Sequence, residues 1–193
     1  MSHKKALTLL GSKRPIYILA TRCFFSTDSA SKVSNLKNTN HFELVEMSGW
    51  SRVVLTPDPS TSLAHCVSAD FDMSDGIAKK FKKKFGNYQD LVTKGLYFQE
   101  EGKVGDIAVL ERNESSFVYY LITRENWWDH ATPSSMRGCL MQLRKHCQEN
   151  GVDKLAIPRL GTGADRIDWP FVKRIVEEVF KETDISITAY TYR

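Results

Sequence analysis

The stretch LAIPRLGTGAD, residues 155–165, runs from an apolar strand pattern into a Gly-x-Gly loop that precedes a predicted helix. Glycine adopts backbone conformations that let consecutive N–H groups approach a phosphate closely. The stretch therefore predicts a phosphate-binding loop at the carboxyl end of a strand. An ordinary left-handed turn explains a lone Gly-x-Gly equally well, and the loop lacks the lysine of a P-loop and the third glycine of the dinucleotide fingerprint.

A second loop with similar chemistry is DMSDGIA, residues 72–78, which follows a strand pattern and opens a helix pattern. A helix N-terminus with glycine at its mouth attracts anions through free N–H groups and the helix dipole. The alternative is a helix capped by Asp75 that binds nothing. Two such loops in one domain suit a pyrophosphate better than a single phosphate.

Around these loops, short β-rich runs alternate with amphipathic helical patterns, which is typical of an α/β domain. The strands are predicted at Phe42–Val45, Ser62–Val67, Ile107–Leu110, Phe117–Thr123, Leu155–Ile157 and Ile185–Tyr192. The helices are predicted at Gly76–Phe85, Tyr88–Thr93, Pro133–Asn150 and Pro170–Glu182. The turn residues at 113–116 indicate a hairpin, while strand–helix alternation elsewhere requires crossovers. The expected fold is a mixed sheet sandwiched between helices.

The positive charge of the chain is concentrated at its N-terminus. Of 27 Lys and Arg residues, seven lie in residues 1–40 against a single acidic residue, which leaves 20 basic and 22 acidic residues in 41–193. The second segment thus lacks the basic field of a phosphate-backbone binder, and no direct nucleic-acid contact is expected. Lys79, Lys80 and 82–84 form a basic run that is expected to be a solvated helix face.

Residues 1–40 have the composition of a targeting extension followed by a linker. No acidic residue occurs from Met1 to Thr27, where Lys, Arg, Ser and Thr alternate with short apolar runs, as in mitochondrial transit peptides. Pro15 would interrupt the amphipathic helix used for import, and a basic tail without an address, with the protein in nucleus or cytosol, is the alternative. No apolar run approaches the roughly 18 residues of a membrane span, so no membrane contact is expected.

The four cysteines show neither the close pairs of a zinc site nor the density of a disulfide scaffold. The cysteines therefore predict a reducing compartment and no zinc site. We expect neither a metal nor a cofactor.

Five segments within residues 41–192 form a characteristic set: 62–68 (SLAHCVS), 81–86 (FKKKFG), 119–123 (YYLIT), 158–163 (PRLGTG) and 177–185 (EEVFKETDI). Taken together, they resemble the macrodomain family, in particular the terminal ADP-ribose protein glycohydrolases that also deacetylate O-acetyl-ADP-ribose. The resemblance implies a macrodomain over 41–193 with a six-stranded mixed sheet between helices. The implied partners are ADP-ribose or ADP-ribosylated proteins, and the chain is expected to be a monomer.

The resemblance further implies where ADP-ribose lies across the top of the sheet. Adenine is expected near Trp50 and Tyr192, the pyrophosphate between the two glycine loops, and the distal ribose beside Ser68 and Asp165. The implied binding residues are Trp50, Ser68, Gly76, Ile77, Ala78, Arg159, Leu160, Gly161, Thr162, Gly163, Ala164 and Tyr192.

Two departures from the family pattern bear on activity. Where the subfamily has a catalytic lysine after the Leu-Ile-Thr strand, this chain has Arg124, and a protonated guanidinium is not a usable nucleophile. Ser74-Asp75 replaces the usual Gly-Ala pair, which brings a carboxylate towards the expected pyrophosphate. The Gly-Asp pair expected near residues 47–50 for reading adenine is absent.

Asp165 matches the family's catalytic aspartate, with capping of the next helix as its alternative role. We therefore expect hydrolysis of ADP-ribosyl esters on acidic residues, or of O-acetyl-ADP-ribose, with Asp165 as base and Arg124 stabilising the departing carboxylate. A non-catalytic ADP-ribose reader is the alternative, since the lysine is missing. Trp127 and Trp128 either stack on a ligand or cover the sheet edge, and covering the edge is the favoured interpretation.

Overall fold

The computed structural model describes residues 42–49, 58–86 and 103–191, all of which belong to one compact unit, Asn38–Arg193. The extension over 1–40 and the helix predicted at Tyr88–Thr93 lie outside these residues. Within the described part of the chain, no helix is both long and apolar enough to cross a membrane.

Six strands form one mixed sheet in the order β1-β6-β5-β2-β4-β3. Their bounds are β1 Glu43–Ser48, β2 Ser62–Ser68, β3 Ile107–Asn113, β4 Ser116–Arg124, β5 Lys154–Pro158 and β6 Ser186–Thr191. All neighbouring pairs are parallel except β3–β4, which the predicted hairpin makes antiparallel. All nine residues of the inner strand β4 are buried, as expected for a strand covered on both faces. The mixed six-stranded sheet predicted from the sequence is confirmed.

Three helices are described: α1 at Gly76–Phe85, α2 at Pro133–Glu149 and α3 at Trp169–Phe180. The start of α2 is fixed by a capping box, in which Thr132 and Ser135 exchange side-chain to backbone hydrogen bonds, with Pro133 in the first turn. The predicted helices at these three places are confirmed to within two residues at each end.

The helices cover both faces of the sheet. The apolar faces of α2 and α3, including Leu140, Leu143 and Val176, are buried in one cluster with Leu121 and Ile187 of the sheet. On the opposite face, Phe81 of α1 is fully buried in a second cluster with residues of β2 and β4. Helices on both faces force the crossovers that bring the carboxyl ends of the inner parallel strands to one edge, where ligands of such sheets bind.

Candidate functional site

A cavity of about 840 Å³ opens where β2, β4 and β5 end. Its walls come from the loops that follow these strands: residues 72–78, 124–130 and 158–166. Because the three strands are parallel and adjacent, the loops converge on one edge of the sheet. The size is that of a pocket for a nucleotide-sized molecule.

The glycine loop after β5 has one position that only glycine fits well. Gly161 has φ +83°, and a Cβ there would lie 3.0 Å from Cγ2 of Val172 and 3.2 Å from Cβ of Ile167. The loop is closed by Ile167 N–H donating to the Gly161 carbonyl (2.8 Å) and by Thr162 Oγ1 donating to the Arg159 carbonyl (2.8 Å). By contrast, a Cβ on Gly163 would meet no atom within 4 Å, so the space beside Gly163 is open.

The second wall is the segment that leads into α1. Gly76, at φ +58°, is the first residue of the helix, and Asp75 before it is extended and makes no side-chain capping hydrogen bond. The capping alternative for Asp75 is therefore not supported by a bond. Asp72, Ser74 and Asp75 all line the cavity, and Ser74 Oγ donates to Asp72 Oδ2 (3.0 Å). The Asp75 carboxylate, which the sequence predicts close to the pyrophosphate, lies in this wall, and Asp72 lies there as well.

Arg124, the last residue of β4, and Asp165 form an ion pair in the cavity. Nη1 of Arg124 lies 2.5 Å from Oδ1 of Asp165, and both residues are more than nine-tenths buried. Thr123 Oγ1 donates to the same oxygen at 2.8 Å. Asp165 does not cap the next helix, whose N-cap is Asp168. The ion pair thus links Arg124, which stands where the resembled subfamily has a lysine, to Asp165, which matches that subfamily's catalytic aspartate.

An irregularity in β4 makes this double contact possible. Val67 of β2 pairs with Ile122 and Ser68 pairs with Arg124, so Thr123 is an extra residue on the β4 side. Successive side chains of a regular strand point to opposite faces, whereas a bulge redirects them. Thr123 and Arg124 therefore both reach Asp165 although they are adjacent in the sequence.

Two further cavity residues come from β2. The pKa of the Cys66 thiol is raised well above its usual value by burial and by the neighbouring Asp165 carboxylate, so it is a neutral thiol and not a nucleophile. Burial lowers the pKa of His65 to about 3, and its ring stacks on Phe81 with centroids 3.9 Å apart. His65 is therefore a neutral residue of the packed layer beneath the cavity.

The structure brings most of the predicted site residues together. Those that line the cavity are Gly76, Ile77, Ala78, Arg124, Arg159, Leu160, Gly161, Thr162, Gly163, Ala164 and Asp165. Ser68 is not among them; it is fully buried and donates to Asp70 Oδ1 (2.5 Å). Trp50 and Tyr192 lie outside the described residues.

The guanidinium of Arg159 is engaged at the surface. Its Nη2 lies 2.8 Å from Oε2 of Glu46, while Nζ of Lys173 lies 2.9 Å from the other oxygen of Glu46. Hydrogen bonding from Lys173 lowers the pKa of Glu46. Glu46 thus ties Arg159 to the edge strand β1.

The interpretation that Trp127 and Trp128 cover the sheet edge stays a prediction, and their place in the cavity also fits the alternative of a contact with ligand. Both line the cavity, and they are 54% and 60% exposed. Both lie in the segment that follows Arg124 at the end of β4.

Several cavity residues were not singled out in the sequence: His65, Cys66, Thr123, His130 and Arg166 contribute to the cavity or its ion pair. Arg166 follows Asp165 directly and has φ +55°, a strained conformation for a side chain with Cβ. Strand alternation places Thr123 and Arg124 on opposite faces, so no sequence signal predicts their shared partner. Among the described residues, no cluster of three His, Cys, Asp or Glu side chains has the geometry of a metal site.

The chain is similar to macrodomains and to ADP-ribosyl glycohydrolases. The Macro domain family model matches residues 64–176. The ADP-ribose glycohydrolase OARD1 of Bos taurus is 45% identical over 130 residues, covering 67% of this chain and 81% of the relative. The DNA ADP-ribosyl glycohydrolase of Thermus aquaticus is 29% identical over 127 residues, 64% of this chain but 35% of the relative. The macrodomain of Thermus aquaticus DarG superposes with a TM-score of 0.64 at 24% identity, covering 78% of this chain and 99% of that one.

Proposed function

Because the chain belongs to the Macro domain family, we propose that it binds ADP-ribose and hydrolyses ADP-ribosyl esters of acidic side chains or O-acetyl-ADP-ribose. The observation that carries the proposal is the buried Arg124–Asp165 pair in a nucleotide-sized cavity beside a glycine loop. The similarity to OARD1 of Bos taurus, which is named an ADP-ribose glycohydrolase and is matched over 81% of its length, supports the same activity.

In this proposal the glycine loops hold the pyrophosphate. Open space beside Gly163 and the first-turn N–H groups of α1, which have no partner within the helix, provide two anion-binding surfaces facing one cavity. The Asp75 carboxylate, in the same wall, repels an anion and offsets part of the attraction from the N–H groups of residues 76–78. The glycine loop after β5 therefore contributes most of the pyrophosphate affinity.

The chemical step assigns one oxygen of Asp165 to each task. Oδ1 accepts from Thr123 and Arg124, which fixes the carboxylate, and Oδ2 then takes a proton from a water molecule. The water oxygen bonds to the anomeric carbon, the bond from that carbon to the ester oxygen breaks, and the electron pair leaves with the acceptor carboxylate. The products are ADP-ribose and the free acidic side chain, and Asp165 then returns its proton to solvent.

Arg124 serves this step electrostatically. A guanidinium has five N–H donors in a fixed fork, and only Nη1 is used by Asp165, while Nε is buried and has no partner among the described residues. The unused donors suit the negative charge that develops on the departing carboxylate. The neutral Cys66 thiol takes no part as a nucleophile.

The experiment is incubation of the full chain with a peptide carrying ADP-ribose on glutamate, with free ADP-ribose as the product measured. Asp165→Asn keeps an acceptor for Thr123 but removes the base, so release is expected to stop. Asp168→Asn is the matched control, because Asp168 is an exposed carboxylate three residues away whose side chain makes no cap bond. If the parent protein binds ADP-ribose tightly but releases none from the peptide, the result favours a non-catalytic ADP-ribose reader. That function is the second candidate because the lysine is missing.

We also propose that residues 1–40 are a separate segment ahead of the macrodomain and direct it to mitochondria. The support is compositional: seven basic residues against one acidic residue over that length.

A further inference from the structure

Trp127 and Trp128 form an exposed aromatic pair at the cavity. Their ring centroids lie 5.4 Å apart, with the planes at 87°, an edge-to-face arrangement. More than half of each side chain is accessible to solvent. Large apolar side chains exposed next to one another mark interaction sites more often than single exposed residues do.

The backbone that carries the pair is held by hydrogen bonds. Trp127 N–H donates to Asp70 Oδ2 (3.1 Å), and Asp129 Oδ2 accepts from the backbone and side-chain nitrogens of Asn126 (2.9 and 2.8 Å). Asp70 is itself fixed through its other oxygen by Ser68 and the N–H of Asp72. The indoles are therefore presented by an ordered loop, which lowers the entropy lost on binding.

The pair lies on one particular side of the cavity. It follows Arg124 at the end of β4, whereas Arg159 and Arg166 follow β5, and β2 lies between these strands. In the proposed function the pyrophosphate lies between the glycine loop after β5 and the start of α1, which follows β2. The aromatic pair is then on the side where the group that carries ADP-ribose has to leave.

The two segments beside the pair are acidic, and the adjacent Arg124 is already paired with Asp165. Residues 70–75 and 125–132 contain five carboxylates and neither lysine nor arginine; the five are Asp70, Asp72, Asp75, Glu125 and Asp129. Asp72 and Asp75 line the cavity together with the two indoles and His130. Such a surface repels a phosphate backbone or an acidic peptide and attracts cations.

We propose that Trp127, Trp128 and these carboxylates form a subsite for lysine or arginine side chains next to the ADP-ribosylated residue of a protein substrate. This inference rests on the proposed function, because it describes the acceptor side of that same site. A cation over an indole face gains cation–π attraction, and the carboxylates add a longer-range, salt-sensitive attraction. The preferred substrate is accordingly an ADP-ribosylated segment with a basic flank, not a nucleic acid.

The test measures equilibrium affinity, so that it does not depend on turnover. Three peptides carry ADP-ribose through a hydrolysis-resistant linkage and differ only in flanking residues, which are Lys/Arg, Ala/Ser or Glu. The full chain is expected to bind the basic-flank peptide about 3- to 10-fold more tightly than the neutral one, and the ratio is expected to shrink as salt is raised.

Variants identify the residues responsible. Trp127→Ala and Trp128→Ala are each expected to lower the ratio to below about twofold, and Asp75→Asn to reduce its salt dependence. Met141→Ala is the control, since Met141 is an equally exposed apolar side chain, 58% accessible, on α2 away from the cavity; it is expected to keep the parental ratio.

Two results separate this inference from the function on which it rests. Equal affinity for the three peptides, or tighter binding of the acidic-flank peptide or of an ADP-ribosylated oligonucleotide, overturns the subsite while free ADP-ribose still binds in calorimetry. Absence of free ADP-ribose binding overturns the proposed function and the subsite together.

Discussion

Arg124 and Asp165 lie 41 positions apart in the chain, yet Nη1 of one is 2.5 Å from Oδ1 of the other. Both are nearly inaccessible, so each charge depends on the other for compensation. Removing one partner of a buried ion pair is commonly destabilising by roughly 3–5 kcal/mol, because the remaining charge is left uncompensated. Variants that keep the charge or the shape at these positions are therefore the informative ones.

Arg124→Lys keeps the positive charge and supplies the nucleophile type that the family resemblance leads one to expect. A lysine amine beside the anomeric carbon is expected to form a covalent ADP-ribosyl adduct that borohydride traps, which the parental guanidinium cannot do. Mass spectrometry of the intact protein measures the adduct. If ADP-ribose binds the variant but no adduct forms, position 124 does not face the anomeric carbon.

The two glycines of the loop after β5 are expected to respond differently to alanine. Gly161→Ala forces a Cβ against Val172 and Ile167 at positive φ and is expected to cost about 2–4 kcal/mol of unfolding free energy. Gly163→Ala meets no neighbouring atom, so stability is expected to change by less than about 0.5 kcal/mol.

Ligand affinity distinguishes the same pair. A methyl group on Gly163 projects into the open space that the phosphates are proposed to occupy, and ADP-ribose affinity is expected to fall on the order of tenfold. Urea unfolding and calorimetry supply the two measurements. Unchanged affinity in a folded Gly163→Ala protein would remove this loop from the binding site.

Acid is expected to destabilise the fold through His65. Its pKa is about 3 in the folded protein against 6.5 for the free side chain, because burial disfavours the charged ring. Between these values the unfolded chain binds a proton that the folded chain does not, so stability is retained above about pH 6.5 and lost as the pH falls. From pH 7 to pH 5 this one group is expected to remove about 2 kcal/mol.

His65→Leu tests that assignment, since leucine fills a similar space and does not titrate. Urea unfolding at several pH values is expected to give a shallower pH dependence in the variant than in the parent. His146, whose pKa is also lowered by burial, contributes in the same direction and remains in both proteins. Identical slopes would show that His65 does not carry the effect.

A fluorescent protein fused behind residues 1–40 is expected to collect in mitochondria, because this segment carries the strong positive charge and lack of acid typical of transit peptides. Replacing Lys4, Lys5, Lys13, Arg14 and Arg22 by glutamine is expected to leave the fusion diffuse. Diffuse fluorescence of the original fusion would contradict the mitochondrial proposal.

The sequence predicted the elements whose ends carry local signals. Pro133 and the period of Met136, Leu140, Leu143 and Cys147 located α2, and all four side chains of that period are buried. The edge strand β1 was predicted to end three residues too early, at Val45 and not Ser48, because an edge strand that is exposed at five of its six positions gives little apolar contrast.

The site was predictable where chemistry is carried by a loop of contiguous residues and not where it depends on tertiary contacts. The segment 159–165 and Arg124 were found from motif and resemblance, and the structure places them in one cavity. The direct pairing of Arg124 with Asp165, and the burial of Ser68 under Asp70, arise from strand register and loop packing. Neither leaves a periodic signal in the residues themselves.

The extra residue at Thr123 has a consequence for how this site can change in evolution. Deleting one residue of β4 at this point would keep both side chains of the ion pair. It would nevertheless shift the end of the strand by one position, so that the side chain at Arg124 would point to the opposite face of the sheet. The pair is thus encoded in chain length as well as in residue identity. A related protein that keeps both an arginine and an aspartate but loses one position in this strand would be expected to lack their contact, even though the two side chains are conserved.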